Sequence, residues 1–166
     1  GTQAFMPHLR RAGQGHIVNC SSLFGLLAVP MQASYNASKF AVRGYTESLR
    51  QELDIARCGV SATCVHPGGV RTPIVQAARM DAGLATQLGV DVGALRGRFD
   101  SLLAVSSPEQ AAEKILRGVL KNKRRVLVGA DAWWLDKLVR LLGSAYQPLT
   151  AYLGRLSIQK SQAKRD

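Results

Sequence analysis

The sequence predicts an α/β fold, a parallel sheet with helices over both faces. Three observations carry this. Short β-branched runs at 16–22, 60–69 and 124–129 are separated by segments of helical periodicity. Strand, helix, strand in that order calls for right-handed crossovers and therefore parallel pairing, since a parallel connection needs a dozen residues or more. The chain of 166 residues, 46% apolar and 20% charged, has the size of one domain with a normal buried core.

Residues 3–12 read as the end of a helix stopped by Gly13 and Gly15. "HIVNCSS" (16–22) is a buried strand. A long helix follows from near Gln32 to Arg57, with Phe40, Tyr45, Leu49 and Leu53 at three-to-five spacing and Gly59 closing it. "VSATCVHPGG" (60–69) is a second strand, ended by Pro67 and Gly68. Residues 74–107 are Gly-rich and weakly patterned, which suggests a mobile segment with one or two short helices. The next helix opens with Ser107 as N-cap and Pro108 at the first helical position, with Glu109 and Glu113 near its positive end. "RRVLVG" (124–129) is the third strand. Helical stretches at 131–142 and about 145–157 precede a polar tail. Three strands make a thin sheet, and the chain opens without Met inside a helix, so an upstream portion is expected.

Composition narrows the function classes. No apolar run approaches the ~18 residues of a membrane-spanning helix, and the N-terminus lacks the pattern of a signal peptide. Cys20, Cys58 and Cys64 form no paired motif, so neither a disulfide framework nor a zinc site is expected and a reducing cytoplasm fits best. The 22 basic residues against 11 acidic ones give +11. That excess is scattered apart from Lys121, Lys123, Arg124, Arg125 and the tail Lys160, Lys164, Arg165, so nucleic-acid binding is not expected. "GQGHIV" is a decoy for a dinucleotide-binding turn: Val18 stands where Gly is needed, and it precedes a strand instead of following one. Asn19-Cys20-Ser21 and Asn36-Ala37-Ser38 match the glycosylation pattern, which a cytoplasmic chain leaves unused. His8, His16 and His66 read as residues without a functional role, His66 as part of a loop.

The chemistry sits in "SSLFGLLAVPMQASYNASKFA" (21–41). On a helix, Tyr35 and Lys39 stand one above the other on one face. A free phenol titrates near pH 10 and is a poor base at neutrality. A cation about 5 Å away, at an effective dielectric of about 20, stabilises its anion by about 3 kcal/mol. Ser22 leaves the C-terminal end of a strand, where open α/β sheets place their ligands. Its hydroxyl can hold an oxygen that Tyr35 protonates or deprotonates.

The run from "GHIVNCSS" through Tyr35-Asn36-Ala37-Ser38-Lys39 to "HPGGVRTPI" closely resembles the short-chain dehydrogenase/reductase family over nearly all of residues 1–130. The matching marks are the Ser-Ser strand end, Gly25, the Tyr-x-Ala-Ser-Lys motif and the Pro67-Gly68 turn with Thr72 after it. The separation of 13 between Ser22 and Tyr35 is the family's usual one and selects Ser22 over Ser21. The resemblance implies an incomplete Rossmann-like doubly wound parallel sheet, holding the last three strands with flanking helices. It implies a family domain over 1–130 with a substrate lid at 74–107, and beyond it the residue pattern gives a helical extension over 131–158 and a basic tail over 159–166. Tyr35 would be the general acid/base. Lys39 would favour its anion and bond the nicotinamide ribose, and Ser22 would orient the substrate oxygen. Pro67, Gly68, the Val70 backbone and the Thr72 hydroxyl would seat the nicotinamide of NAD or NADP. The family's Gly-rich phosphate turn, its Asn-Ala-Gly strand end and its fourth catalytic residue, an Asn, do not occur in these residues.

The expected activity is hydride transfer between an alcohol and a ketone or aldehyde. The apolar neighbours Leu23, Phe24, Leu26, Leu27 and Ile74 would make the small-molecule substrate lipophilic. A homodimer or homotetramer through the helix at 32–57 is expected, along its small residues Ala37, Ala41, Gly44 and Ser48. Two rival readings are a non-catalytic polypeptide that binds no dinucleotide and a basic membrane-surface protein using Trp133 and Trp134. Membrane association is not expected, and those two Trp side chains are assigned to core packing or a subunit contact.

Overall fold

A computed structural model describes residues 1–78 and 106–162, together with residues 83, 93 and 97. Its elements run α1 (Thr2–Ala12), β1 (Gly15–Cys20), a 3₁₀ turn (Leu23–Gly25), α2 (Ala33–Ala56), β2 (Val60–Pro67), α3 (Ile74–Ala77), α4 (Pro108–Leu120), β3 (Arg125–Val128), α5 (Ala130–Leu142), a second 3₁₀ turn (Gly143–Ala145) and α6 (Tyr146–Gln162). The sheet has the order β1-β2-β3 and both pairings are parallel. Gly15 stands opposite Val60 and Cys20 opposite Val65, while Cys64 opposes Arg125 and Pro67 opposes Val128. The C-terminal ends of β1 and β2 therefore emerge side by side, which is what places Ser22 next to the Pro67 turn.

Each face of the sheet carries its own core. Ile17, Leu53, Val60 and Ala62 pack together with Met6 and Leu9 of α1 and Leu49 of α2. Val65, Val126 and Val128 pack with Ala111 of α4. A third cluster joins Leu23, Leu26 and Leu27 after β1 to Ala132 of α5 and Tyr146 of α6. The Tyr146 hydroxyl also accepts the Ala28 N–H at 3.0 Å. The helices expected as an extension beyond residue 130 thus share the core of the loop that carries Ser22.

Arginines tie the outer layer to the sheet. Buried Arg50 reaches from α2 to the Ala62 carbonyl at 3.0 Å and to Asp54 at 3.0 Å. Arg125 bridges Glu47 of α2 (2.7 Å) and Asp136 of α5 (3.2 Å). Part of the positive charge is therefore structural. Helix α4 begins with a reciprocal capping box: the Ser107 hydroxyl accepts the Gln110 N–H at 3.2 Å, and the Gln110 side chain accepts the Ser107 N–H at 3.1 Å. Such a cap contributes about 1 kcal/mol.

Three expectations need correction. Helix α2 ends on Arg57, itself left-handed at φ 47°, and Gly59 (φ 72°) belongs to the approach to β2. Trp133 and Trp134 are 45% and 67% exposed and stack edge-on at 4.7 Å, so of the two expectations, core packing or a subunit contact, the first is overturned. Ala132, Leu135, Val139 and Leu142 of α5 turn inward. His66 is a fully buried residue of β2 and no part of a loop. The expected lid at 74–107 lies largely outside the described residues, which give α3 and residue 78 at one end, Ser106 and Ser107 at the other, and residues 83, 93 and 97 between them. The basic tail begins inside α6, and residues 163–166 lie outside the described ones.

Candidate active site

The site is built where β1 and β2 end. Ser21 turns inward, and its hydroxyl donates to the Lys39 carbonyl on α2 at 2.8 Å. Ser22 continues in extended backbone and caps the 3₁₀ turn, its Oγ accepting the Phe24 N–H at 3.1 Å. Gly25 lets this turn lie directly against α2, because a Cβ there would collide with Ser21 Oγ and sit 2.8 Å from the Lys39 carbonyl oxygen. One seryl hydroxyl is spent on packing, and the other is left at the edge of the site.

Helix α2 then brings Tyr35 and Lys39 to the same edge. The Lys39 ammonium lies over the Tyr35 ring, 5.5 Å from its centroid, and donates to the Cys20 carbonyl at 3.2 Å. Phe24 stacks edge-on against Tyr35 at 6.2 Å. Tyr35 is 37% exposed, so its hydroxyl is open to a ligand. The start of α2 is held by Asn36, buried and donating to the Val29 carbonyl at 2.8 Å. Asn19 is likewise engaged, donating to Thr46 Oγ1 at 3.0 Å.

The second wall is the turn after β2. The Gly68 N–H donates to the Val128 carbonyl at 2.8 Å and the Gly69 N–H to Asp131 Oδ2 at 2.7 Å. A Cβ at Gly68 would collide with that carboxylate. Beyond it, Ser106 donates to the Gly69 carbonyl (2.9 Å) and accepts from the Arg71 N–H (3.0 Å), forming a parallel bridge opposite Val70. Those two bonds flank Val70 and leave its own N–H and C=O on the other side. Thr72 and Ile74 are exposed. Of the expected lining residues, Leu23 and Leu26 are buried in the core with Ala132 and Tyr146, and so is Leu27. Phe24 is the one that touches Tyr35.

Two residues of this site escape sequence reasoning. Asp131 reads as an ordinary acid in the first turn of α5 and gives no sign of clamping Gly69. His66 was assigned to a loop, yet its Nδ1 donates to the Ser22 carbonyl at 3.0 Å. Burial pushes the His66 imidazole down to about 4, with Arg125 and Arg43 adding to the shift while the Ser22 carbonyl and Glu47 oppose it. The unfolded chain, at the ordinary 6.5, takes up a proton first as pH falls. Stability present above pH 6.5 is therefore lost as pH drops towards about 4, by up to about 3 kcal/mol. Urea unfolding across that range is expected to show the slope, and to lose it in His66→Asn. An unchanged slope in the variant would assign the acid sensitivity to other groups.

With the geometry in hand, comparisons identify the class. A profile of the short chain dehydrogenase family matches residues 1–83, half of the chain. The chain is 52% identical over 151 residues to SadH of Mycobacterium tuberculosis, a candidate oxidoreductase by name, covering 91% of this chain and 52% of that protein. It is 32% identical over 165 residues to YxnA of Bacillus subtilis, named as an uncharacterized oxidoreductase, covering 98% of this chain and 41% of that one. A solved short-chain dehydrogenase from Streptomyces avermitilis shares 25% identity at a TM-score of 0.63, over 92% of this chain and 57% of that one. Another, from Burkholderia cenocepacia and in complex with NADP, shares 25% at 0.61, over 92% and 52%. The chain belongs to the short-chain dehydrogenase family, and it spans about half the length of the curated relatives it matches.

Proposed function

We propose that the full-length protein is a NAD- or NADP-dependent oxidoreductase interconverting an alcohol and a ketone or aldehyde. The observation that carries this is the Lys39 ammonium held 5.5 Å from the Tyr35 ring centroid at the sheet edge where Ser22 emerges. Tyr35 holds the proton given to or taken from the substrate oxygen. Lys39 keeps its ammonium beside the Tyr35 ring and, beyond its bond to the Cys20 carbonyl, has further N–H groups to reach a ribose. The Ser22 hydroxyl, already accepting from Phe24, has its proton to donate to the substrate oxygen. A bound nicotinamide supplies or takes the hydride.

The residues fit the nicotinamide half of such a cofactor. Thr72 is exposed, the Val70 backbone faces away from its bridge, and the turn is clamped from behind by Asp131. A relative's NADP complex supports the same cofactor class here without separating NADP from NAD. The loop joining Ser22 to α2 forms with α6 an open groove of about 430 Å³. Its lining mixes Pro30, Met31, Ala151 and Ile158 with Arg155 and Gln159 and includes none of Ser22, Tyr35 and Lys39, so the lipophilic substrate is supported instead by Phe24 against Tyr35. Assaying the full-length protein against a panel of lipophilic alcohols and carbonyls with each dinucleotide tests this reading. Dinucleotide-dependent turnover is expected, and its absence with every pair would contradict it.

Association through α2 is the expected assembly. Ala37, Ala41, Gly44 and Ser48 are all exposed. At about 100° per residue they form one stripe opposite the face that carries Tyr35, Lys39, Thr46 and Leu53. A flat stripe of small residues lets two helices approach closely. Light scattering of the full-length protein is expected to give a dimer or tetramer, and a monomer mass would count against it.

A further inference from the structure

We propose that His66 is a positioning residue that aims the Ser22 hydroxyl by holding the Ser22 carbonyl; this rests on the reading of Ser22 as the group that orients the substrate oxygen. The reason begins in the sequence. The β1–β2 ladder runs as far as the Ser21 N–H, which donates to the Val65 carbonyl at 2.8 Å. The next donor from β2 would be residue 67, and Pro67 has no N–H to give. The ladder stops there, just short of the residue whose direction matters.

The His66 side chain takes over one residue later. Its Nδ1 lies 3.0 Å from the Ser22 carbonyl oxygen, and a carbonyl only accepts, so the ring carries its proton on Nδ1. The ring is fully buried in β2, and its Nε2 has no partner among the described residues. Among the described residues no other side chain bonds this imidazole. Ser22 is thereby held at both ends. Its carbonyl is fixed by His66, its Oγ accepts from the Phe24 N–H at 3.1 Å, and its backbone lies extended at φ −165°, ψ 168°. One lone pair of Oγ is taken by the Phe24 N–H, which leaves the hydroxyl proton available to an acceptor such as a substrate oxygen. The Ser22 carbonyl also accepts the Gly25 N–H at 3.0 Å within its own 3₁₀ turn, so without His66 it loses its bond to β2 and the turn that carries the hydroxyl can shift against the strand end although Ser22 itself is intact.

The test uses the full-length protein with four variants: His66→Leu, which keeps bulk and removes the donor; His66→Asn, which offers an N–H near the Nδ1 position; Ser22→Ala; and the His66→Leu/Ser22→Ala double variant. A displacement of about 1 Å in a reacting group costs about a hundredfold, so His66→Leu is expected to lower kcat by roughly tenfold to a hundredfold. Dinucleotide affinity should stay within about twofold, and His66→Asn should recover most of the rate. In the Ser22→Ala background, His66→Leu should cost nothing further, because the residue it aims is gone. Nitrogen NMR of the imidazole should find the proton on Nδ1. The proposal is overturned by an unchanged kcat in His66→Leu, by equal losses with and without Ser22, or by a proton on Nε2. Should His66→Leu fail to fold, His66→Asn in both Ser22 backgrounds and the NMR tautomer decide by the same criteria. Full activity of Tyr35→Phe would instead overturn the reading of the site as a whole.

Discussion

Replacing Tyr35 by Phe in the full-length protein is expected to lower turnover by at least about a hundredfold, the range of a positioned acid/base group. Affinity for the dinucleotide should change little, since Phe keeps the ring against Phe24 and loses only the hydroxyl. Lys39→Ala should harm both properties. It removes the cation over the Tyr35 ring and the group available to a ribose, and it also frees the Cys20 carbonyl from its 3.2 Å bond. Steady-state rates and a fluorescence titration separate these effects. Comparable turnover for Tyr35→Phe and its parent would remove Tyr35 from the chemistry.

The second large effect concerns residues 1–166 on their own. They are expected to bind neither NADH nor NADPH measurably and to associate non-specifically. A dinucleotide's pyrophosphate rests on backbone N–H groups at a Gly-rich helix N-terminus. The one Gly-x-Gly of this chain serves otherwise. Gly13 caps α1 at φ 66°, and Gly15 opens β1 with Leu9 packed so close that a Cβ would clash. Tyr35, Lys39, Val70 and Thr72 can contact only the nicotinamide half. Among the described residues the outer edge of β1 carries no strand, with Val18 43% and Phe5 66% exposed beside it. Unpaired edges and apolar patches of that kind promote association. Calorimetric titration with each reduced dinucleotide decides the matter, and micromolar binding by a soluble monomer would contradict the expectation.

The fold was legible because its signals are local. β-branched runs, the Ser107-Pro108 cap and the periodicity of 32–57 each depend on neighbours within a few residues. Tyr35, Lys39 and Ser22 were legible through their spacing in a distinctive motif. What remained hidden depends on contacts between distant segments. His66 acquires its partner 44 residues away, across two strand ends. Asp131 meets Gly69 at a separation of 62 residues, through the return of the chain after β3. Leu23 and Leu26 are as apolar as any pocket lining, and only the return of α5 and α6 makes them core. Trp133 and Trp134 show the converse. Their hydrophobicity suggests burial, but Ala132, Leu135 and Val139 occupy the inward face of α5 and leave both rings outside.

Label transfer tests the central claim most directly. The full-length protein is incubated with a lipophilic ketone or aldehyde and NADH or NADPH carrying deuterium at C4 of the nicotinamide, in ordinary water. Hydride transfer beside Tyr35 predicts deuterium on the carbinol carbon of the product, from one face of the ring only, and labelling at least about a hundredfold slower in Tyr35→Phe. Product without deuterium, or label transfer at an unchanged rate in Tyr35→Phe, would contradict the account.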